Sequence, residues 1–155
     1  MEAIAREAGV AKPTLYAYFA DKDAVFQGIA GLVVTAVTEA VEAAMAAEGD
    51  AIGRVGAALA AKHKTVARLI GASAHTEELH DFGRMLAPLA RLEQEIEARI
   101  AGELAAAGMQ RPRPLAQLLI AAADGVSRRA AVAEIGPAVR LLAERLLRPE
   151  LDPRP

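Results

Sequence analysis

The chain has 155 residues, which suits one compact unit or one core with a small appended module. Apolar residues make up 54% of it and aromatic residues only 3%, so alanine and leucine supply most of the apolar surface. Because both are strong helix formers, the composition predicts an all-α protein. The absence of cysteine excludes disulfides and thiolate chemistry. With a formal net charge of −2, a nucleic-acid binder would have to concentrate its positive charge locally.

The sequence predicts neither a secretory signal nor a membrane span. Met1 is not followed by a basic region and an apolar run. The most apolar windows, such as residues 28–37, are shorter than a membrane span and lead into charged residues. We therefore expect a soluble, cytoplasmic protein.

Helical periodicity and turn residues predict about eight helices. The first covers residues 2–8 and ends at Gly9, where a positive φ suits a tight turn. Pro13 fits the first turn of a second helix that ends near Phe19. Asp21 and Asp50 are the expected N-caps of the next two helices. Further along the chain, the predicted helices cover residues 22–47, 50–70, 75–86, 88–104, 115–132 and 138–147, with a linker at 108–114, a break at 136–137 and a frayed tail from 148.

The first two helices and the turn between them have the outline of a helix-turn-helix, a motif that places its second helix in the major groove of DNA. Ala5 is small enough for two helices to cross closely, and the expected miniature core is Ile4, Val10, Leu15 and Phe19. A basic residue and hydroxyls near the start of a helix can contact phosphates and base edges. Packing of the apolar residues leaves such side chains free at Lys12, Thr14, Tyr16 and Tyr18.

The string IAREAGVAKPTLYAYFADKDAVF, residues 4–26, resembles the DNA-binding domain of TetR-type bacterial regulators. The resemblance implies that residues 1–27 bind operator DNA and that Lys22 contacts a phosphate. It implies that residues 28–155 form a helical ligand-binding and dimerisation domain, which pairs into a homodimer through its last two helices. No cofactor is expected. The groove-facing candidates are Lys12, Pro13, Thr14, Tyr16, Ala17 and Tyr18.

Three features depart from the family pattern. Family members open with an additional helix, whereas Met1 falls at the start of the second family helix. Either Met1 lies inside a longer natural protein, which is the interpretation we favour, or the missing helix weakens DNA binding. Residues 1–23 carry three basic and four acidic side chains, and this net charge of −1 predicts weak DNA binding by the segment alone. Ala11 stands where the family often has a serine helix cap.

The middle helices are where the resemblance implies a pocket, and their apolar composition suits a hydrophobic small-molecule effector. Each candidate lining residue has the alternative of simply filling the core. His63 and the segment HTEELH at residues 75–80 invite a metal site, but their spacing fits no recognised zinc motif, and we expect none. The candidate lining residues are Met45, Leu59, His63, Val66, Phe82, Met85, Leu86, Leu89 and Leu92.

The leading hypothesis is a homodimeric repressor in which ligand binding changes the spacing of two recognition helices. The alternative is a dimeric helical protein that binds small molecules and has lost DNA binding. An enzyme is the third hypothesis and is not favoured, because Ser73 and Ser127 have no visible base partner and the chain has no phosphate-binding glycine loop.

Overall fold

A computed structural model describes residues 1–70 and 87–151, and within these ranges every regular element is a helix. The prediction of an all-α fold is therefore confirmed. The helix predicted at residues 75–86 lies outside the described residues, as does the HTEELH segment. The seven described helices are α1 (Glu2–Glu7), α2 (Lys12–Tyr18), α3 (Lys22–Met45), α4 (Ala51–Ile70), α5 (Ala87–Ala106), α6 (Pro112–Ser127) and α7 (Val132–Leu151).

The predicted linker at residues 108–114 is shorter than expected. Helix α6 begins at Pro112, because a proline in the first turn needs no amide hydrogen bond and its fixed φ suits a helix. The turn before it uses two residues with positive φ, Gly108 at +81° and Arg111 at +48°. Helix α6 also ends earlier than predicted, at Ser127 rather than residue 132.

The last helix is longer than predicted, because α7 runs through Gly136 and Pro137 and continues past residue 147. Pro137 removes one amide donor from the helix, which normally favours a break. Its neighbours Ile135 and Val139 are only 1% and 0% exposed, so their burial in the core offsets that loss. Tertiary packing therefore overrides the local signal at this position.

Helix α4 lies at the centre of the fold and packs most extensively against α7 and α3. Its residues Ile52, Val55 and Leu59 are at most 1% exposed. Helices α4 and α7 approach closely at Gly56, where a Cβ atom would lie 3.1 Å from Cβ of Ala143. Helices α5 and α6 pack against each other and complete the core with Ile96, Ile100, Leu104, Ala116, Leu119 and Ala123.

Helix α3 is apolar over a longer stretch than the 28–37 window indicated. By length and composition alone it is long and apolar enough to cross a membrane, which is weak evidence because the core helix of a soluble protein passes the same test. In this fold Val33, Val37 and Val41 of α3 are buried in the main core. The helix thus serves as the connection between the N-terminal segment and the helical core.

Two arginines fix the turn between α3 and α4 to the rest of the core. Arg54 pairs with Glu103 of α5 through its Nε atom at 2.8 Å and also donates to the carbonyl of Gly49. Arg148 of α7 donates to Asp50 at 3.2 Å. Asp50 also accepts from the amide of Gly53 at 2.7 Å, as expected of an N-cap.

Candidate nucleic-acid interface

Helices α1 and α2 are joined by a tight turn at Gly9, which has the predicted positive φ, at +65°. The amide of Val10 donates to the carbonyl of Ala5 at 3.0 Å, which closes the end of α1. Helix α2 then begins after Ala11 with Pro13 in its first turn, and Ala11 supplies no side-chain cap. The local sequence signals at this turn therefore act as predicted.

The packing of α2 separates one buried residue from an exposed face. Leu15 is 7% exposed and Ala5 of α1 is 4% exposed, so each of the two contacting helices buries one residue. Tyr16 and Tyr18 are 46% and 79% exposed. All six groove-facing candidates are exposed, as is the phosphate candidate; they are Lys12, Pro13, Thr14, Tyr16, Ala17, Tyr18 and Lys22.

The expected miniature core is only partly formed. Val10 is 39% exposed and so does not belong to it, because the turn at Gly9 directs that position outward. Ile4 and Phe19 are half-buried, whereas Leu15 is buried. The prediction that Val10 packs in this core is therefore wrong.

The end of α2 is positioned by a contact with α3. Phe19 follows α2 directly, and its ring lies against Gly28, nearly two turns into α3. Asp21 then caps α3 by accepting from the amide of Ala24 at 2.8 Å. The cap fixes where α3 starts, and the ring contact fixes how α2 lies against it.

The two lysines of the candidate interface have different surroundings. Lys12 Nζ lies 3.7 Å from a carboxylate oxygen of Glu2, and both side chains are mostly exposed. Such a surface pair contributes little, so Lys12 can exchange Glu2 for a phosphate at low cost. Lys22 Nζ lies 5.3 Å from the ring centroid of Phe26. Sequence analysis missed this cation–π contact, although the i, i+4 spacing of the two residues was a signal for it.

The candidate pocket residues on the described helices lie in or against the main core. Leu59 and Leu92 are 0% and 6% exposed and belong to the core cluster. Met45, Val66 and Leu89 are half-buried and pack against the same cluster. Phe82, Met85 and Leu86 lie outside the described residues.

A polar cluster, which sequence analysis missed apart from His63, joins the buried Lys62 and His63 of α4 to carboxylates of α5 and α6. Lys62 is 4% exposed, and its ammonium group donates to Glu93 of α5 at 2.7 Å. It lies 3.6 Å from Asp124 of α6, whose same oxygen is 3.5 Å from Nε2 of His63. Lys62 occupies the apolar stripe between Leu59 and Val66, and a charged residue in that register was the available signal.

His63 is held neutral by its surroundings. Burial lowers its pKa from 6.5 to about 4, and the neighbouring charge of Lys62 acts in the same direction. Asp124 opposes this shift and Arg128 adds to it. Nε2 of His63 is buried and accepts or donates no hydrogen bond among the described residues.

The two helices implied in dimerisation divide their apolar residues between the core and the surface. Leu119, Ala123 and Val139 are 0% exposed within the single chain, so they serve its own core. Leu118 of α6 and Leu141 of α7 are 55% and 57% exposed. Both leucines are therefore exposed on the single chain.

Comparison with known proteins gives one result for this chain. Residues 1–29 match the family model of bacterial regulatory proteins, tetR family. The match therefore covers α1, α2 and the first part of α3. No curated protein and no solved structure matches the chain significantly.

Proposed function

We propose that the chain is a DNA-binding transcriptional regulator of the tetR family, whose model matches its first 29 residues, and that it is a ligand-responsive repressor acting as a homodimer. The observation that carries the proposal is the exposed face of α2. Lys12 and Tyr16 lie one turn apart on one side of α2, and the exposed Tyr18 lies about 160° away from Tyr16 around the helix axis. The exposed surface of α2 therefore presents one cation and two tyrosines. It has the composition that reading a major groove requires.

We assign different roles to the exposed candidates. The ammonium groups of Lys12 and Lys22 contact phosphates, because a mobile cation on the rim of a helix suits the backbone rather than a base edge. Thr14, Tyr16 and Tyr18 offer hydroxyl groups and apolar surface to base edges, with Pro13 and Ala17 in van der Waals contact between them. The contacts to DNA phosphates set the register of α2 in the groove, and the contacts to base edges determine the sequence preference.

We propose that residues 28–155 bind the effector and pair the subunits, although α3 runs without interruption through residues 27 and 28. The exposed Leu118 and Leu141 mark the surface on α6 and α7 where a second copy packs. A change among α4 to α7 reaches the reading helices through α3, because this single helix contacts both Phe19 and the core. Effector binding then alters the spacing of two α2 helices, which must match successive major grooves. The apolar candidates Met45, Leu59, Val66, Leu89 and Leu92 supply the contacts for an apolar effector in this cytoplasmic protein, together with His63, Phe82, Met85 and Leu86.

A gel-shift titration against the DNA upstream of its own gene tests the proposal. Lys12→Ala and Tyr18→Ala should each weaken binding, whereas Arg91→Ala, which removes an exposed charge on α5, should not. Lys12→Ala should also reduce the salt dependence of the binding constant by about one phosphate contact. Equal affinity of all three variants would contradict the proposed interface.

The second candidate is a dimeric helical protein that binds small molecules and no DNA. The net charge of −1 over residues 1–23, with Glu2 beside Lys12, favours it. Phosphate contacts supply most of the affinity for DNA, so this segment has a small electrostatic contribution. Absence of any shift at low salt, together with a dimer in solution, would support this candidate instead.

A further inference from the structure

The polar cluster between α4, α5 and α6 has an unequal distribution of hydrogen bonds. Glu93 accepts a direct hydrogen bond from the ammonium group of Lys62 at 2.7 Å and balances its charge. Asp124 has no such partner: its nearer oxygen is 3.6 Å from Lys62 and 3.5 Å from His63, and no described residue donates to it. The carboxylate of Asp124 is therefore the excess negative charge of the cluster.

His63 adds an unused hydrogen-bonding atom at the same place. Its side chain is 5% exposed, and Nε2 has no partner among the described residues although it faces the Asp124 carboxylate. Leaving a buried polar atom unpaired costs about 1–3 kcal/mol. A neutral imidazole with its proton on Nδ1 accepts a hydrogen bond at Nε2.

The Asp124 end of the cluster is open to the surface, whereas Nε2 of His63 is enclosed. Leu59 and Leu92 of the same helices are buried core residues, and Val66 packs against the same cluster. The Asp124 side chain is 40% exposed, so a small molecule can reach it from the surface. The positive charge of Arg128 also acts on this site, but its side chain is exposed, and solvent screens it.

We infer that this cluster binds the protonated amine of an otherwise apolar small molecule, with the ammonium group between the Asp124 carboxylate and Nε2 of His63. An ammonium group donates up to three hydrogen bonds and carries the opposite charge to Asp124, so it satisfies both unused acceptors at once. Its apolar part lies along the half-buried Val66, one turn from His63 on α4. This inference rests on the proposed function, since the amine is then the effector.

Calorimetric titration of the full chain without DNA tests the site directly. The probes are n-alkylammonium ions from butyl to octyl, with the alcohol and the carboxylate of each chain length for comparison. We expect the ammonium ion to bind at least about tenfold more tightly than its matched alcohol, a difference of about 1.4 kcal/mol. Equal affinity for amine and alcohol would overturn the inference.

Two variants test the residues of the site, and a third variant serves as the control. Asp124→Asn should remove the preference for amine over alcohol, and His63→Leu, which replaces an unpaired polar atom by an apolar side chain, should reduce it severalfold. Glu97→Gln changes another carboxylate between α5 and α6, one that accepts from Gln117 at 2.9 Å, and should keep the full preference. A preference that survives both Asp124→Asn and His63→Leu would overturn the inference.

A gel shift with the upstream DNA then separates this inference from the proposed function. If the protein binds DNA, an alkylammonium ion should weaken the shift for the wild type and not for Asp124→Asn. Failure to bind DNA would contradict the proposed function and leave the calorimetric result standing. If the protein binds DNA but shows no preference for amines, the inference about the amine site is contradicted and the proposed DNA binding is supported.

Discussion

The ring of Phe19 lies against Gly28, with Cε1 only 3.0 Å from the position that a Cβ atom of residue 28 would occupy. This contact joins the end of α2 to α3. Glycine is the residue type that leaves the ring its full space at position 28, because it has no Cβ atom. The exposed candidates of α2 directly precede Phe19. This contact therefore helps to set their orientation relative to α3.

Gly28→Val should displace Phe19 and weaken DNA binding more than it lowers global stability. A branched side chain at this position needs the space that the ring occupies, and overpacking costs about 1–3 kcal/mol. Much of that cost falls on the seating of α2, because the main core lies further along α3. Gel-shift affinity and urea unfolding of the same preparation measure the two effects. Unchanged affinity would show that α2 is not positioned through this contact.

A pair of glycine-to-alanine changes tests the close approach of α4 and α7. At Gly56 a Cβ atom would lie 3.1 Å from Cβ of Ala143, so Gly56→Ala should be neutral or destabilising. Gly102 of α5 is also inside a helix, but nothing lies within 4 Å of its Cβ position. Gly102→Ala should therefore stabilise the protein by about 0.5–1 kcal/mol, through helix propensity. The midpoint of thermal unfolding should therefore be higher for Gly102→Ala than for Gly56→Ala. An equal gain in both variants would contradict the packing.

Asp21→Ala tests the N-cap of α3. The Asp21 carboxylate accepts from the amide of Ala24 at 2.8 Å, and loss of such a cap costs about 1 kcal/mol. Asp23 is in the first helical turn but makes no cap, so Asp23→Ala should cost only the smaller helix-dipole contribution, about 0.3 kcal/mol or more. Chemical denaturation compares the two. Equal losses would mean that the cap contributes nothing beyond negative charge.

The stability of the protein should fall as the pH is lowered from about 6.5 to 4, because of His63. Its pKa is lowered to about 4 in the folded state, so the unfolded chain binds the proton first over this range. Above the unfolded pKa of 6.5, His63 does not change the free energy of unfolding with pH. As the pH falls from there towards 4, the free energy of unfolding decreases by up to about 3 kcal/mol. His63→Gln, which cannot take up the proton, should flatten this dependence in urea unfolding at successive pH values. An unchanged slope in that variant would assign the dependence to other groups.

Much of the N-terminal segment could be predicted from local sequence. Gly9, Pro13 and Asp21 act within a few residues of themselves, through φ preference, a missing amide donor and a capping carboxylate. Such effects need no knowledge of distant contacts, so the turn, the start of α2 and the cap of α3 were predictable. The exposure of Tyr16 and Tyr18 followed from the same reasoning, because Leu15 is the residue of α2 that faces inward.

The tertiary structure decided the features whose partners lie far apart in the chain. Burial of Ile135 and Val139 carried α7 through Pro137, against its local signal. Contacts between helices also set the place of Lys62, because its partners Glu93 and Asp124 are 31 and 62 positions away. By itself the sequence determined helix type, turns, caps and the exposed face of α2, since these depend on neighbours along the chain. Only packing between helices decided that Lys62 and His63 are buried and which carboxylates pair with them, because burial and pairing depend on neighbours in space.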